Sequence, residues 1–224
     1  MKHLSIFILF IGSTLISTAQ SYGIINDKDG FVNVRKSPSI NSPIVGKIYS
    51  DQLFGYDYDT ADNSKWVDIF QQHENTGHLE GYISRNKILP LTALKKNKKN
   101  NDSLSVVIKS SAFNPQMHTL QYNKPRKNER ADLVKIDGKA IWGQDGGIPK
   151  KEISSVKIIK NGTQITIPKT AYNDLYEPDF GSLNIYSNKN TIYIEMENSD
   201  GAGWYTIIWV IKDNKFDYRY IGTI

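Results

Sequence analysis

Glu195 and Glu197 are the nearest this chain comes to a pair of catalytic carboxylates. Glycoside hydrolysis needs two such groups about 5–10 Å apart. Residues at i and i+2 of one strand stand about 6–7 Å apart on the same face. Any solvated strand face has the same spacing, and that bland case is far commoner. His73 and His78 flank Glu74 and Gly77. A zinc-binding helix sets its two histidines at i and i+4, on one side of the helix. Here they are five apart across a glycine, so they do not form that motif. His118 stands alone after Asn114-Pro115. Asp137-Gly138 and Asp145-Gly146-Gly147 are turn signals with too few neighbouring acids for calcium. The chain has no cysteine, which excludes thiol catalysis and disulfides alike. A Gly-x-Ser-x-Gly nucleophile elbow is also missing. The expectation is a protein that is not an enzyme, with no catalytic residue, metal or cofactor.

Recognition chemistry is better represented. Phe54, Tyr56 and Tyr58 alternate, and Trp66 and Tyr82 follow. Aromatic rings supply large contact area at small entropic cost, which suits a groove for sugar or peptide. The same alternation also describes one face of a strand, with Trp66 half-buried. A second candidate is the small-residue loop Asn198 to Tyr205, which carries Ser199, Asp200, Gly201, Gly203, Trp204 and Tyr205. Its glycines let backbone approach a partner closely, and an aromatic anchor there would dominate an interface. Strand alternation turns Tyr205 inward and leaves Trp204 partly exposed. The plain alternative is a tight turn that needs glycine for its backbone angles.

The elements that must carry these residues are short strands with frequent turns, and the fold class expected is all-β. In Phe31 to Arg35, Val32 and Val34 face one side, Asn33 and Arg35 the other. Further strands fall at Trp66 to Phe70 and Tyr82 to Ile83, with Gln71 to Leu79 between them as a long hairpin loop. Asn161-Gly162 marks a type I′ hairpin turn. Ile192, Ile194 and Met196 alternate with polar or aromatic neighbours, as in a half-buried strand. Tyr205 to Ile211 is almost uniformly apolar and should be covered on both faces. Asp213-Asn214 turns the chain into a last strand, so the C-terminal strands should form a meander. One short helix is expected over Lys169 to Tyr176, between Pro168 and Pro178.

Residues 1–19 have the parts of an export signal: Lys2, an apolar run from Leu4 to Ile16, and Ser17-Thr18-Ala19 before the cleavage point. The run is too short and interrupted for a retained span. The mature protein is therefore expected to be periplasmic or secreted, and not an integral membrane protein. Thr92 to Ser103 is rich in Lys and Asn and nearly free of apolar residues, the composition of a linker. This divides the chain into 1–19 signal, 20–91 first domain, 92–103 basic linker and 104–224 β-rich second domain. The net charge is +5, much of it in Lys95-Lys96-Asn97-Lys98-Lys99. Export argues against nucleic acid. A solvated linker, or weak attraction to anionic envelope polymers, accounts for the charge.

Four blocks occur in a recognisable order: Val32-Asn33-Val34-Arg35 with Pro38, Ser42-Pro43-Ile44-Val45-Gly46, Trp66-Val67-Asp68-Ile69, and Gly81-Tyr82-Ile83-Ser84. Together they resemble the bacterial SH3-like (SH3b) domain. The resemblance implies a small β-barrel of the cell envelope, in a family that often accompanies cell-wall hydrolases and sometimes binds peptidoglycan. The expected partner is a cell-wall polymer or a protein. The C-terminal part is similar to exported Bacteroidota proteins in which Asp-Gly-Ala-Gly precedes a Trp-bearing strand. The loop at Ser199 also resembles the Ser-Gly-x-x-Tyr loop of bacterial lysozyme inhibitors, except that Asp200 stands between Ser199 and Gly201. This implies an alternative role, an inhibitor or immunity-type protein blocking a lysozyme or other hydrolase through Ser199 to Tyr205.

Overall fold

The computed structural model describes residues 20–57, 64–73, 77–144 and 146–223. The expected signal, Tyr58 and Asp145 lie outside them. The protein is all-β: among the described residues the only helical turns are short 3-10 pieces. None is long and apolar enough to cross a membrane.

The first half is one curled, seven-stranded sheet. Its strands are β1 (Gln20–Ile25), β2 (Phe31–Arg35), β3 (Ile44–Tyr49), β4 (Phe54–Asp57), β5 (Trp66–His73), β6 (Gly77–Ser84) and β7 (Ile88–Pro90). They lie in the order β3-β2-β6-β5-β4-β1-β7, and every pairing is antiparallel. Alternation sends Val34, Ile48, Phe54, Tyr56, Val67, Ile69 and Ile83 into the concave core. Gly81 is required where β6 crosses β2. Its φ is +146°, and a Cβ there would sit 2.5 Å from the Arg35 carbonyl oxygen. The long loop expected from Gln71 to Leu79 does not form. β5 and β6 pair through it as far as His73 opposite Gly77.

The second half contains three sheets. β9 (Leu104–Ala112), β12 (Lys151–Lys160) and β13 (Thr163–Ile165) form one, with Asn161 and Gly162 at φ +49° and +77° in the turn, as the sequence requires. β10 (Leu120–Tyr122) and β11 (Leu133–Ile136) form a small ribbon. β8 (Lys95–Lys96), β14 (Asn184–Asn188), β15 (Thr191–Asn198), β16 (Tyr205–Lys212) and β17 (Lys215–Thr223) form the third, in the order β17-β16-β15-β14-β8. The meander is present, and β16 is buried continuously from Tyr205 to Ile211. Trp209 has no exposed surface, and its Nε1 donates to the Ala171 carbonyl at 2.8 Å.

Three local expectations change. β15 is buried on both faces, Tyr193 included, because one face packs on the other half of the chain. Lys169 to Tyr176 makes only a 3-10 turn, Lys169–Ala171. Beyond it the backbone is committed elsewhere: Asp174 and Leu175 carbonyls accept from Trp142 and Ile153, and Glu177 N–H donates to Lys151. The lysine-rich 92–103 segment is not a bare tether. Lys95 and Lys96 pair with Ser187 and Tyr186 of β14, and Asn97 N–H donates to Ile185.

The two halves share a core. Tyr22, Ile24, Leu53 and Leu91 pack with Tyr186, Tyr193, Ile208, Val210 and Tyr220. Tyrosine hydroxyls complete the seam. Tyr218 accepts from Leu53 N–H at 2.9 Å, Tyr220 accepts from Gly55 N–H and donates to the Phe70 carbonyl, and Tyr193 donates to the Asp51 carbonyl.

Candidate functional site

If alternation buries Val34, Ile48, Val67 and Ile83, it must turn their neighbours outward. The convex face of β3, β2, β6 and β5 therefore presents Tyr49, Lys47, Phe31, Asn33, Arg35, Tyr82, Ser84, Trp66 and Asp68. Four of these are aromatic. Tyr49 is 53% exposed, while Phe31, Trp66 and Tyr82 are half-buried. The Phe31 and Tyr49 rings lie 6.1 Å apart, and the Lys47 ammonium sits 4.2 Å above the Phe31 ring. Register places Trp66 opposite Ser84 and Tyr82 opposite Asp68, so the two rings are diagonal neighbours.

A groove of about 240 Å³ opens on this face, lined by Asp27, Phe31, Asn33, Arg35, Trp66 and Lys87 among others. Arg35 is fixed by donating to the Ser42 carbonyl at 2.7 Å. Asp27 is ion-paired with Lys87, whose hydrogen bond holds its carboxyl below the usual range. Asn33 Oδ1 is buried and accepts no hydrogen bond. On the same face, burial and then the charges of Asp57 and Glu80 push the Asp68 carboxyl up. The face thus combines flat apolar surface and fixed charges of both signs.

The structure brings Trp66 and Tyr82 together but removes two of their expected companions. Phe54 and Tyr56 lie on the concave face of β4 and are buried in the core, their rings 6.1 Å apart. The aromatic alternation there signals packing, not a groove. Phe31 and Tyr49 take their place. The Val32/Val34 alternation puts Phe31 on the same face as Asn33 and Arg35.

Around the C-terminal loop, Asp200 and Gly201 are exposed, and Ser199 and Trp204 are half-buried. Gly203 is buried, and Tyr205 has no exposed surface because its hydroxyl donates to the Tyr176 carbonyl at 3.0 Å. Neither can enter a partner's cleft. Beside this loop lies a cleft of about 570 Å³, reached by Ser199 and Asp200 together with Gln144, Lys150, Glu177 and Asp179.

Two other clusters have chemistry of interest. Burial, then the charge of Glu197, pushes the Glu195 carboxyl up. It accepts a hydrogen bond from Asn184 Nδ2 at 3.5 Å. His118, isolated in sequence, lies between two acids. Its Nδ1 is 2.8 Å from Asp137, its Nε2 is 3.3 Å from Glu152, and its ring stacks on Phe113 at 4.6 Å. Backbone N–H of Thr119, then His118, holds Asp137 below the usual carboxylate range. Both ring nitrogens are thus engaged by protein, the arrangement of a structural brace. Among the described residues no group of His, Cys, Asp and Glu is arranged to hold a metal ion. No family model matches this chain, and no curated protein matches it either.

Proposed function

We propose that this is an exported, non-enzymatic binding protein of the cell envelope. Its N-terminal half recognises peptidoglycan, or a peptide, on the convex face of β2, β3, β5 and β6. The observation that carries this is the gathering of Phe31, Tyr49, Trp66 and Tyr82 on one accessible face, with a groove lined by Phe31 and Trp66 among them. A rigid sheet presenting rings and fixed polar groups binds extended polymers with little ordering cost. The resemblance of the four sequence blocks to SH3b domains supports the same conclusion.

The test is co-sedimentation with purified cell-wall sacculi. The protein should pellet with them, and Trp66→Ala with Tyr82→Ala should weaken binding about tenfold or more, as central aromatic anchors do. The melting temperature of the variant should stay close to that of the parent. Binding that survives the double substitution, or no pelleting of the parent, would overturn the proposal. The inhibitor alternative relies on the Ser199 to Tyr205 loop, in which Asp200, Gly201 and Ala202 are exposed, Ser199 and Trp204 half-buried, and Gly203 and Tyr205 buried. A lysozyme turnover assay with added protein separates the two: the envelope reading expects undiminished turnover.

A further inference from the structure

β9 pairs with β12 along one side and is the last strand of its sheet. Asn161 N–H donates to the Ser103 carbonyl at one end of it, and Phe113 N–H to the Lys150 carbonyl at the other. The odd-numbered residues along β9 therefore turn their backbone groups toward β12, and the even-numbered ones turn theirs away. The extra residue of the register shift, Ser154, lies on β12, so this alternation runs unbroken along β9. Part of the outer edge is occupied by the chain itself. Asn100 bridges antiparallel to Ser105, Asn101 N–H donates to the Leu104 carbonyl, and Val106 N–H donates to the Lys99 carbonyl at 2.9 Å. The chain before Lys99 is drawn off to another sheet, because Asn97 N–H donates to the Ile185 carbonyl and Lys95 and Lys96 pair with β14. The outward N–H and C=O groups of Ile108 and Ser110 have no hydrogen-bond partner among the described residues.

Such an edge is a template for one more strand. Its surroundings select the kind. Residues 95–112 hold five lysines and one acid, Asp102. Lys109 is exposed on the same face of β9 as the exposed Val107, and Lys157 of β12 stands opposite Val107. On the other face Ile108 is half-buried and packs on the main core cluster. A second copy of this chain is a poor occupant. β9 against β9 brings Lys109 of one copy near Lys109 of the other, and like charges across a strand pair destabilise it. An acidic strand gains from the same lysines. In an antiparallel pair, two residues that exchange hydrogen bonds carry their side chains on one face. Residues bonded to Ile108 and Ser110 would therefore lie on the inner face, where apolar side chains suit. The residues between them would stand beside Lys109, where carboxylates suit.

We infer that the outer edge of β9, from Val106 to Ala112, receives an extended acidic segment of a partner protein as an added antiparallel strand. The edge belongs to a different sheet from the aromatic face, and its occupancy does not depend on cell-wall binding. The probe is acetyl-Glu-Val-Glu-Val-Glu-Val-Glu-amide, titrated into the full chain and followed by backbone amide NMR. It should shift the Ile108 and Ser110 amides and slow their hydrogen exchange, with affinity falling as salt is raised. Methylating the amide nitrogens of its valines, which would face β9, should abolish binding. Methylating those of its glutamates, which would face away, should leave it. Ser110→Pro removes an outward N–H where an edge strand tolerates proline, and should weaken binding about tenfold, the size of one or two lost hydrogen bonds. Lys109→Glu, a change at an exposed side chain, should weaken it about fivefold with the melting temperature held. Equal binding of the valine-methylated peptide, shifts mapping elsewhere, or undiminished binding by Lys109→Glu would overturn the inference. So would a dissociation constant above about 10 mM for the parent.

Discussion

Glu195 shows how a single side chain can work against the fold that holds it. Its carboxyl is pushed above the ordinary value of 4.5 by burial and by Glu197. In that case the folded state binds the proton more tightly than the unfolded state does. Stability is then highest below the ordinary carboxylate value and falls as pH rises through the raised one. Glu195→Gln should accordingly raise the melting temperature at about pH 7, and the gain should vanish near about pH 4. Melts at the two pH values check this, and a gain of equal size at both would refute it. Trp209 represents the opposite case, a side chain whose environment suits it fully. It is wholly buried with its indole N–H satisfied, so Trp209→Ala should cost about 3–5 kcal/mol in urea denaturation. Its burial was legible in the sequence, because a nearly unbroken apolar run has no solvent face to spare. Phe54 and Tyr56 were misplaced for a related reason. Period-two aromatics report that a strand has one distinctive face, and they do not say which way that face points.

At the scale of elements, β17 does more than close a meander. Tyr218 and Tyr220 point from it into the first sheet and satisfy backbone groups of Leu53, Gly55 and Phe70. Tyr220→Phe keeps the ring and removes both of its hydroxyl bonds. It should destabilise the protein by about 1–3 kcal/mol, the cost of leaving buried backbone polar groups unmatched. A change within the error of a surface substitution in a chemical denaturation series would contradict this role. The Phe216, Tyr218, Tyr220 alternation announced the strand. It could not announce the hydroxyl partners, which lie about 150 residues away in sequence. Hairpins were legible for the converse reason: Asn161-Gly162 and Asp213-Asn214 state their turn chemistry within two residues. The short helix expected over Lys169 to Tyr176 failed because the backbone beyond Ala171 bonds to Trp142, Lys151 and Ile153, which local pattern does not record. Of the aromatic convex face, Trp66 and Tyr82 could be named from sequence. Their grouping with Phe31 and Tyr49 required the register of four strands.

Across the whole molecule, the shared cluster from Tyr22 to Tyr220 ties the first sheet to the last. A chain divided near residue 92 would expose Ile24, Leu53 and Leu91 on one piece and Tyr193, Ile208 and Val210 on the other. Thermal unfolding should therefore be one transition, with tryptophan fluorescence and far-ultraviolet circular dichroism melting together. An isolated 20–91 fragment should lack the amide dispersion of a folded domain. Two separated transitions, or a well-dispersed fragment, would refute this coupling. Composition suggested a boundary at 92–103, since lysine and asparagine seldom build a core. It could not reveal that two of those lysines extend a sheet through backbone bonds alone. The grip of β17 on the first half also has a consequence for how the chain is made. Of the described strands, β17 is synthesised last. The amides of Leu53 and Gly55 leave the ribosome long before the hydroxyls that will accept from them. The seam therefore stays open through most of translation and closes only after residues 215–223 emerge. A nascent chain of this design remains unlocked until β17 is available, so the order of synthesis sets the order in which the two halves can be joined.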